Sequence, residues 1–129
     1  MTKSIFKDKF SINSIQINKT NTTFTNAYDM ASFLENKITS HPVATFISIF
    51  DNYEHTSNIK GEIQDGIKNA LVVIFCFGKA IPSSKIMSIR PRSFGITEYE
   101  DCFSIDFMDA PSDEMTQIMI TWAKELKNK

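Results

Sequence analysis

Seven consecutive residues, Leu71-Val72-Val73-Ile74-Phe75-Cys76-Phe77, carry no charged or strongly polar side chain. An element with one wet face would show a polar residue at every second or third position, so this run is expected to be an interior strand covered on both faces and ended by Gly78. The segment Cys102 to Asp109 has a different pattern. There Phe103, Ile105 and Phe107 alternate with Cys102, Ser104, Asp106 and Met108, as in a strand with one face in the core.

The remaining elements follow from period and punctuation. Phe10 to Ile17 is rich in isoleucine but breaks alternation between Ile12 and Ile15, which predicts a bulge or a late strand start. Ala27, Met30, Ala31, Leu34 and Ile38 recur at helical spacing behind a capping Thr25 or Asn26, so a helix is expected from Asn26 to about Thr39, ended by Ser40-His41-Pro42. His41 is expected to cap carbonyls at that end. Ala44 to Asp51 reads as a strand covered on both faces, with Phe46, Ser48 and Phe50 on one side and Thr45, Ile47 and Ile49 on the other. Ile59, Ile63 and Ile67 predict a short helix within Thr56 to Asn69, weakened by Gly61 and Gly66. Lys85 to Ile89 predicts one irregular helical turn, closed by Pro91. Phe94 to Glu100 and Cys102 to Asp109 are expected to form a hairpin, and a last helix follows Pro111-Ser112. Its acidic first turn, Asp113 and Glu114, and its Lys-rich end match the helix dipole.

Apart from the short helix after the second strand, the order is β-α-β4-α. The fold class is therefore α+β, a single-layer, mostly antiparallel sheet with helices on one face. The second face, carrying several apolar residues, would then require a partner, which predicts a homodimer.

Composition bounds the function. A chain of 129 residues suits one domain spanning 1–129, able to bury roughly two-thirds of its unfolded surface. A formal charge of −1 argues against a nucleic-acid partner. The absence of an apolar signal segment and the two dispersed cysteines, Cys76 and Cys102, predict a reduced, cytoplasmic protein with packing thiols. No apolar run reaches the roughly twenty residues of a membrane span, so no membrane partner is expected. Cys76, Cys102, His41 and His55 lack the paired spacing of a zinc site, and the dispersed glycines form no nucleotide loop, so neither metal nor cofactor is expected.

Over about residues 31 to 111 the pattern resembles the family known as domain of unknown function 302. The residues that carry the likeness are Ile49-Phe50-Asp51 with His55, Phe77-Gly78, Ile86-Met87, and Thr97 to Phe107. Asp51 and His55 are not adjacent here, and the Asn-Pro that usually follows the family's Phe-Gly is Lys79-Ala80. The resemblance implies a TATA-binding-protein-like fold and no activity.

Charge is segregated along the chain. From Lys79 to Thr97 every charged residue is a cation (Lys79, Lys85, Arg90 and Arg92), whereas from Glu98 to Glu114 every one is an anion. Arg90 and Arg92 flanking Pro91, with Lys85 and the hydroxyl of Ser84, suit a phosphate or carboxylate ligand. The competing reading pairs these cations with the acidic segment of the same molecule or a dimer mate. The leading functional expectation is a small non-enzymatic binding domain whose basic loop, 85–92, holds an anionic ligand or an acidic partner surface. The alternative is an enzyme in which His55 acts as acid or base, Asp51 orients it, and Arg90 or Arg92 fixes an anionic substrate. The Met and Trp stripe of the last helix, Met115, Ile118, Met119, Trp122 and Leu126, is expected to be core packing.

Overall fold

The computed structural model describes residues 1–129. In chain order the elements are β1 (Thr2–Phe6), β2 (Phe10–Asn18), α1 (Ala27–Ser40), β3 (Thr45–Asp51), α2 (Asn52–Asn58), β4 (Asn69–Cys76), β5 (Arg92–Glu98), β6 (Cys102–Met108) and α3 (Asp113–Glu125), with 3-10 turns at Lys19–Asn21 and Ser84–Ile89. All six strands form one antiparallel sheet in the order β1-β2-β6-β5-β4-β3. The class is therefore α+β, as the order of patterns implies.

Both long helices start where capping chemistry places them. The Asn26 side chain accepts the Asp29 N–H at 2.9 Å, and Ser112 Oγ accepts the Met115 N–H at 3.2 Å. Each satisfies a backbone donor that the first helical turn leaves free. Alternate strand residues, among them Ile15, Ile17, Leu71, Val73, Phe75, Phe94, Ile96, Phe103 and Ile105, join Met30, Leu34 and Ile38 of α1 and Met119, Trp122 and Ala123 of α3 in one core cluster.

Phe75 is the centre of an aromatic group within that core. It stacks on Phe94 with ring centres 5.4 Å apart, and meets Phe77 edge-on at 5.3 Å. Trp122 of α3 stacks on Phe77 at 5.6 Å, so this group joins the sheet to α3. Such pairs add about 0.5–1.5 kcal/mol each beyond the area they bury.

The structure corrects several expectations. β4 is interior, between β5 and β3, but only Leu71, Val73, Phe75 and Phe77 are buried, whereas Val72, Ile74 and Cys76 are half-buried. A run without polar residues therefore does not mean burial on both sides here. The break in alternation in β2 is no bulge, because Asn13 takes a core-side position at 2% exposure. Its side chain is satisfied there by donating to Asp109 Oδ1 at 2.7 Å. The bulge lies in β3, where the register slips between Phe46 and Ser48 and leaves Ile47 51% exposed. Thr45, Ile47, Ser48 and Phe50 are exposed, so β3 is not covered on both faces; it is an edge strand, and a bulge there discourages edge-to-edge pairing.

The short helix lies earlier than its isoleucine spacing suggests. Asp51 caps α2 by accepting the Glu54 N–H at 2.9 Å. The helix then ends in a Schellman turn, Gly61 N–H to Thr56 C=O at 2.9 Å and Lys60 N–H to Ser57 C=O at 3.1 Å, with Lys60 left-handed at φ 57°. Ile59 is exposed, while Ile63 and Ile67 are half-buried in the loop that follows. β1, absent from the sequence reading, has all five residues exposed, so no burial pattern marks it. A turn with Lys7 and Asp8 both at positive φ joins it to β2 without the usual Asn-Gly signature.

Candidate functional site

Arg90 and Arg92 meet at one end of the sheet, where β4 runs out and β5 begins. They border a cavity of about 170 Å³ together with Phe77, Gly78, Ile86, Ile89, Pro111, Ser112 and Met115. Phe77 and Gly78 follow β4, the two isoleucines come from the 3-10 turn, and the last three residues belong to the start of α3. A shallower hollow of about 290 Å³ lies beside the same arginines, between Ser88, Ser93 and Met108.

Neither arginine is neutralised by a carboxylate of its own chain. The four ion pairs of the molecule are Lys3–Asp109, Lys19–Glu98, Lys37–Glu125 and Lys68–Glu100. The basic loop therefore forms no close ion pair with the acidic segment of the same molecule. The guanidiniums instead bind backbone carbonyls. Arg90 Nη2 donates to Ala80 at 2.8 Å, Arg92 Nη1 to Ile89 at 3.1 Å, and Arg92 Nη2 to Asp109 at 2.8 Å. Arg92 Nε is buried with no acceptor. Burial lowers the Arg92 pKa from its ordinary value, and the Asp109 carboxylate opposes that shift.

Arg90 lies directly over Gly78. A Cβ built on Gly78 would overlap the Arg90 guanidinium, so the absence of a side chain there lets the charge sit at the cavity. Arg92 does different work: it ties the 3-10 turn and the end of β6 to the start of β5. Replacing Arg92 by alanine should cost about 1.5–3 kcal/mol, the scale of hydrogen bonds from a charged donor. Arg92→Lys should recover only part of this, since an ammonium lacks the planar fork that reaches both carbonyls. Denaturant titration of the two variants measures the difference.

Ser84 and Lys85 are exposed at the start of the 3-10 turn and do not line the cavity, although the sequence reading grouped them with the arginines. Phe77, Gly78, Ile86, Ile89, Pro111, Ser112 and Met115 were missed as lining residues. The Pro-Ser capping signal before α3 was a sequence clue to Pro111 and Ser112 alone.

Asp51 and His55 lie elsewhere. Asp51 pairs with Leu71 across the sheet and Arg92 with Phe75. That separates them by four residues along β4, about 13 Å, and places them on opposite flanks of that strand. Both Asp51 oxygens are occupied, Oδ1 by the Glu54 N–H and Oδ2 by the Tyr28 hydroxyl. That hydroxyl's pKa is raised, first by its hydrogen bond to Asp51 and next by burial. The exposed His55 ring lies 5.6 Å from the Phe50 ring and makes no hydrogen bond to Asp51. The cleft combining His55, Asp51 and the arginines is not formed.

His41 ends α1, but its ring does not cap carbonyls. Its Nδ1 accepts the N–H groups of Val43 and Ala44 at 3.2 and 3.3 Å, and the ring packs edge-on against Phe77 and Trp122. No group of three or more His, Cys, Asp or Glu side chains is placed to hold a metal ion. No helix is long and apolar enough to cross a membrane.

Fold and cavity together define a small α+β domain with an arginine-bordered apolar pocket at one end of an antiparallel sheet. The chain belongs to the family described as "Family of unknown function (DUF6858)", which it matches over residues 1–128. A domain of unknown function is what the sequence pattern implied, although the match is to this family and not to domain of unknown function 302. No curated protein and no solved structure matches the chain.

Proposed function

We propose that this chain is a cytoplasmic, non-enzymatic binding domain that holds a small anion at Arg90 and Arg92. The observation that carries the reading is that both arginines border one cavity while neither forms an ion pair with a carboxylate of the chain, Asp109 acting on Arg92 only at longer range. A protein that used these charges only to stabilise itself would be expected to neutralise them internally. An anion bound at a hundred times its Kd adds about 2.7 kcal/mol to apparent stability. Thermal unfolding at constant ionic strength, with acetate, phosphate and nucleotides in turn, should therefore give a raised midpoint for at least one anion. The rise should vanish in Arg90→Ala. An equal rise in wild type, Arg90→Ala and Arg92→Ala would place binding elsewhere, and no rise with any anion would refute the reading.

A separate observation favours self-association. If α1 and α3 cover one side of the sheet, as a TATA-binding-protein-like arrangement would have it, Ile12, Val72, Ile74, Phe50 and Met108 are left for the other, since each alternates with the core-facing residues of its strand. Phe50 and Met108 are 42% and 45% exposed, and apolar side chains gathered on one face are the usual basis of a two-fold contact. In this reading the dimer face adjoins the arginines, since Met108 also lines the hollow beside them.

A further inference from the structure

We infer that the cavity takes a small monocarboxylic acid with a short apolar tail, the carboxylate at Arg90 and the tail between Phe77, Ile86 and Met115. This inference rests on the anion-binding reading and narrows it to one chemical class.

The distribution of donors within the cavity selects the class. Phe77, Ile86, Ile89, Pro111 and Met115 make most of its wall, and Phe77 is itself only 3% exposed. Polar groups are confined to the two arginines, Ser112 and the backbone at Gly78. A phosphate presents charged oxygens on every side, so against this wall several of them would be desolvated without a donor, which costs more than the charged contacts return. A carboxylate is charged at one end only, and its hydrocarbon tail gains about 0.8 kcal/mol for each methylene taken from water. The one-sided cavity matches a one-sided ligand.

Volume limits the length. A cavity of about 170 Å³ has the size of a small molecule, so a carboxylate with a short tail suits it better than a nucleotide does. Arg90 is the residue equipped for the charged end. Only its Nη2 has a protein acceptor, the Ala80 carbonyl, so Nε and Nη1 remain free to donate. Arg92 has both terminal nitrogens committed to carbonyls. Its charge favours an anion nearby while its geometry serves the fold. Gly78 then has a defined part: it leaves the space in which the Arg90 guanidinium rests.

The test is calorimetric titration of the full chain at constant ionic strength with sodium hexanoate, 1-hexanol, hexylammonium chloride and inorganic phosphate, on wild type, Arg90→Ala and Gly78→Ala. Thermal unfolding of each variant confirms that it is folded. Hexanoate should bind at least tenfold more tightly than the other three probes. Both substitutions should weaken hexanoate at least tenfold, Gly78→Ala by displacing the guanidinium without removing it. Arg90-dependent binding of phosphate in preference to hexanoate would overturn the inference and leave the anion-binding reading standing. Equal binding of hexanoate and hexanol would overturn the assignment of a carboxylate, and no binding of either anion would remove both readings.

Discussion

Replacing Phe75 by alanine is expected to lower stability by about 3–5 kcal/mol, the range for deleting a large aromatic side chain from a packed core. The side chain is fully buried and touches the rings of Phe94, Phe77 and Trp122. Its removal takes contacts from β4, β5 and α3 together, and the cavity left behind cannot close without moving a strand. For a domain of this size each kcal/mol is worth roughly 3–5 °C in the thermal midpoint. Urea titration should therefore show a large fall in midpoint with an unchanged slope. Phe75→Leu should recover much of the loss. A change below about 1 kcal/mol for alanine would show that the aromatic group does not join the sheet to α3.

The second large effect is expected at Glu98, which sits at the end of β5 with a side chain 8% exposed. Its carboxylate accepts from Lys19 Nζ at 2.8 Å, from the Ala27 N–H at 3.0 Å and from Asn69 Nδ2 at 3.5 Å. One acidic residue thereby holds the start of α1, the turn after β2 and the start of β4. Glu98→Ala removes the acceptor and leaves the Lys19 charge and the Ala27 donor without a partner. Breaking a buried pair costs about 3–5 kcal/mol, and because Lys19 is 27% exposed the expected loss is about 2–4 kcal/mol.

Glu98 also sets the direction of the pH dependence. Burial alone would raise its pKa, but the hydrogen bonds from Lys19, Ala27 and Asn69 outweigh burial and bring it below the ordinary value. A carboxyl whose pKa is lower when folded stabilises the fold above its unfolded pKa, about 4.3. That stabilisation is lost as pH falls through the lower folded value. Asp109, lowered first by its hydrogen bond from Lys3 and then by Asn13, acts in the same direction. Stability should therefore fall on acidification below about pH 4, and Glu98→Gln should show a shallower fall that Asp109 still supplies. An identical slope in Glu98→Gln would mean that Lys19 and Ala27 do not hold this carboxylate in solution.

The parts of the fold that could be read from sequence were those with a strong period or a cap. Phe103, Ile105 and Phe107 identified β6, while Asn26 and Ser112 marked the starts of α1 and α3. The misreadings have particular physical causes. β1 buries nothing, so hydropathy is silent about it. Asn13 is polar yet core-facing because Asp109 accepts its hydrogen bond, and no periodicity argument finds a polar residue satisfied by a partner 96 positions away. The Ile59, Ile63 and Ile67 spacing looked helical, but a Schellman turn at Lys60 and Gly61 ends the helix before the second of them.

The site was half legible. Two arginines around one proline suggested a basic fork, and both line the cavity; Ser84 and Lys85, their neighbours in sequence, do not. The apolar wall comes partly from Ile86 and Ile89 of the 3-10 turn and partly from Phe77 and Met115, which are distant in sequence and read as core material. Asp51 looked like a catalytic orienter because it precedes a histidine, whereas the same position between a strand and a helix makes it an N-cap.

Arg90, resting on Gly78, places a positive charge with no ion-pair partner beside an apolar cavity. Amide chemical-shift mapping of the labelled protein, titrated with hexanoate at constant ionic strength, tests this placement most directly. Saturable shifts should cluster at Phe77, Gly78, Ile86, Ser112 and Met115, and should be lost in Arg90→Ala. Shifts clustered around Asp51 and His55, or none that saturate, would contradict the assignment.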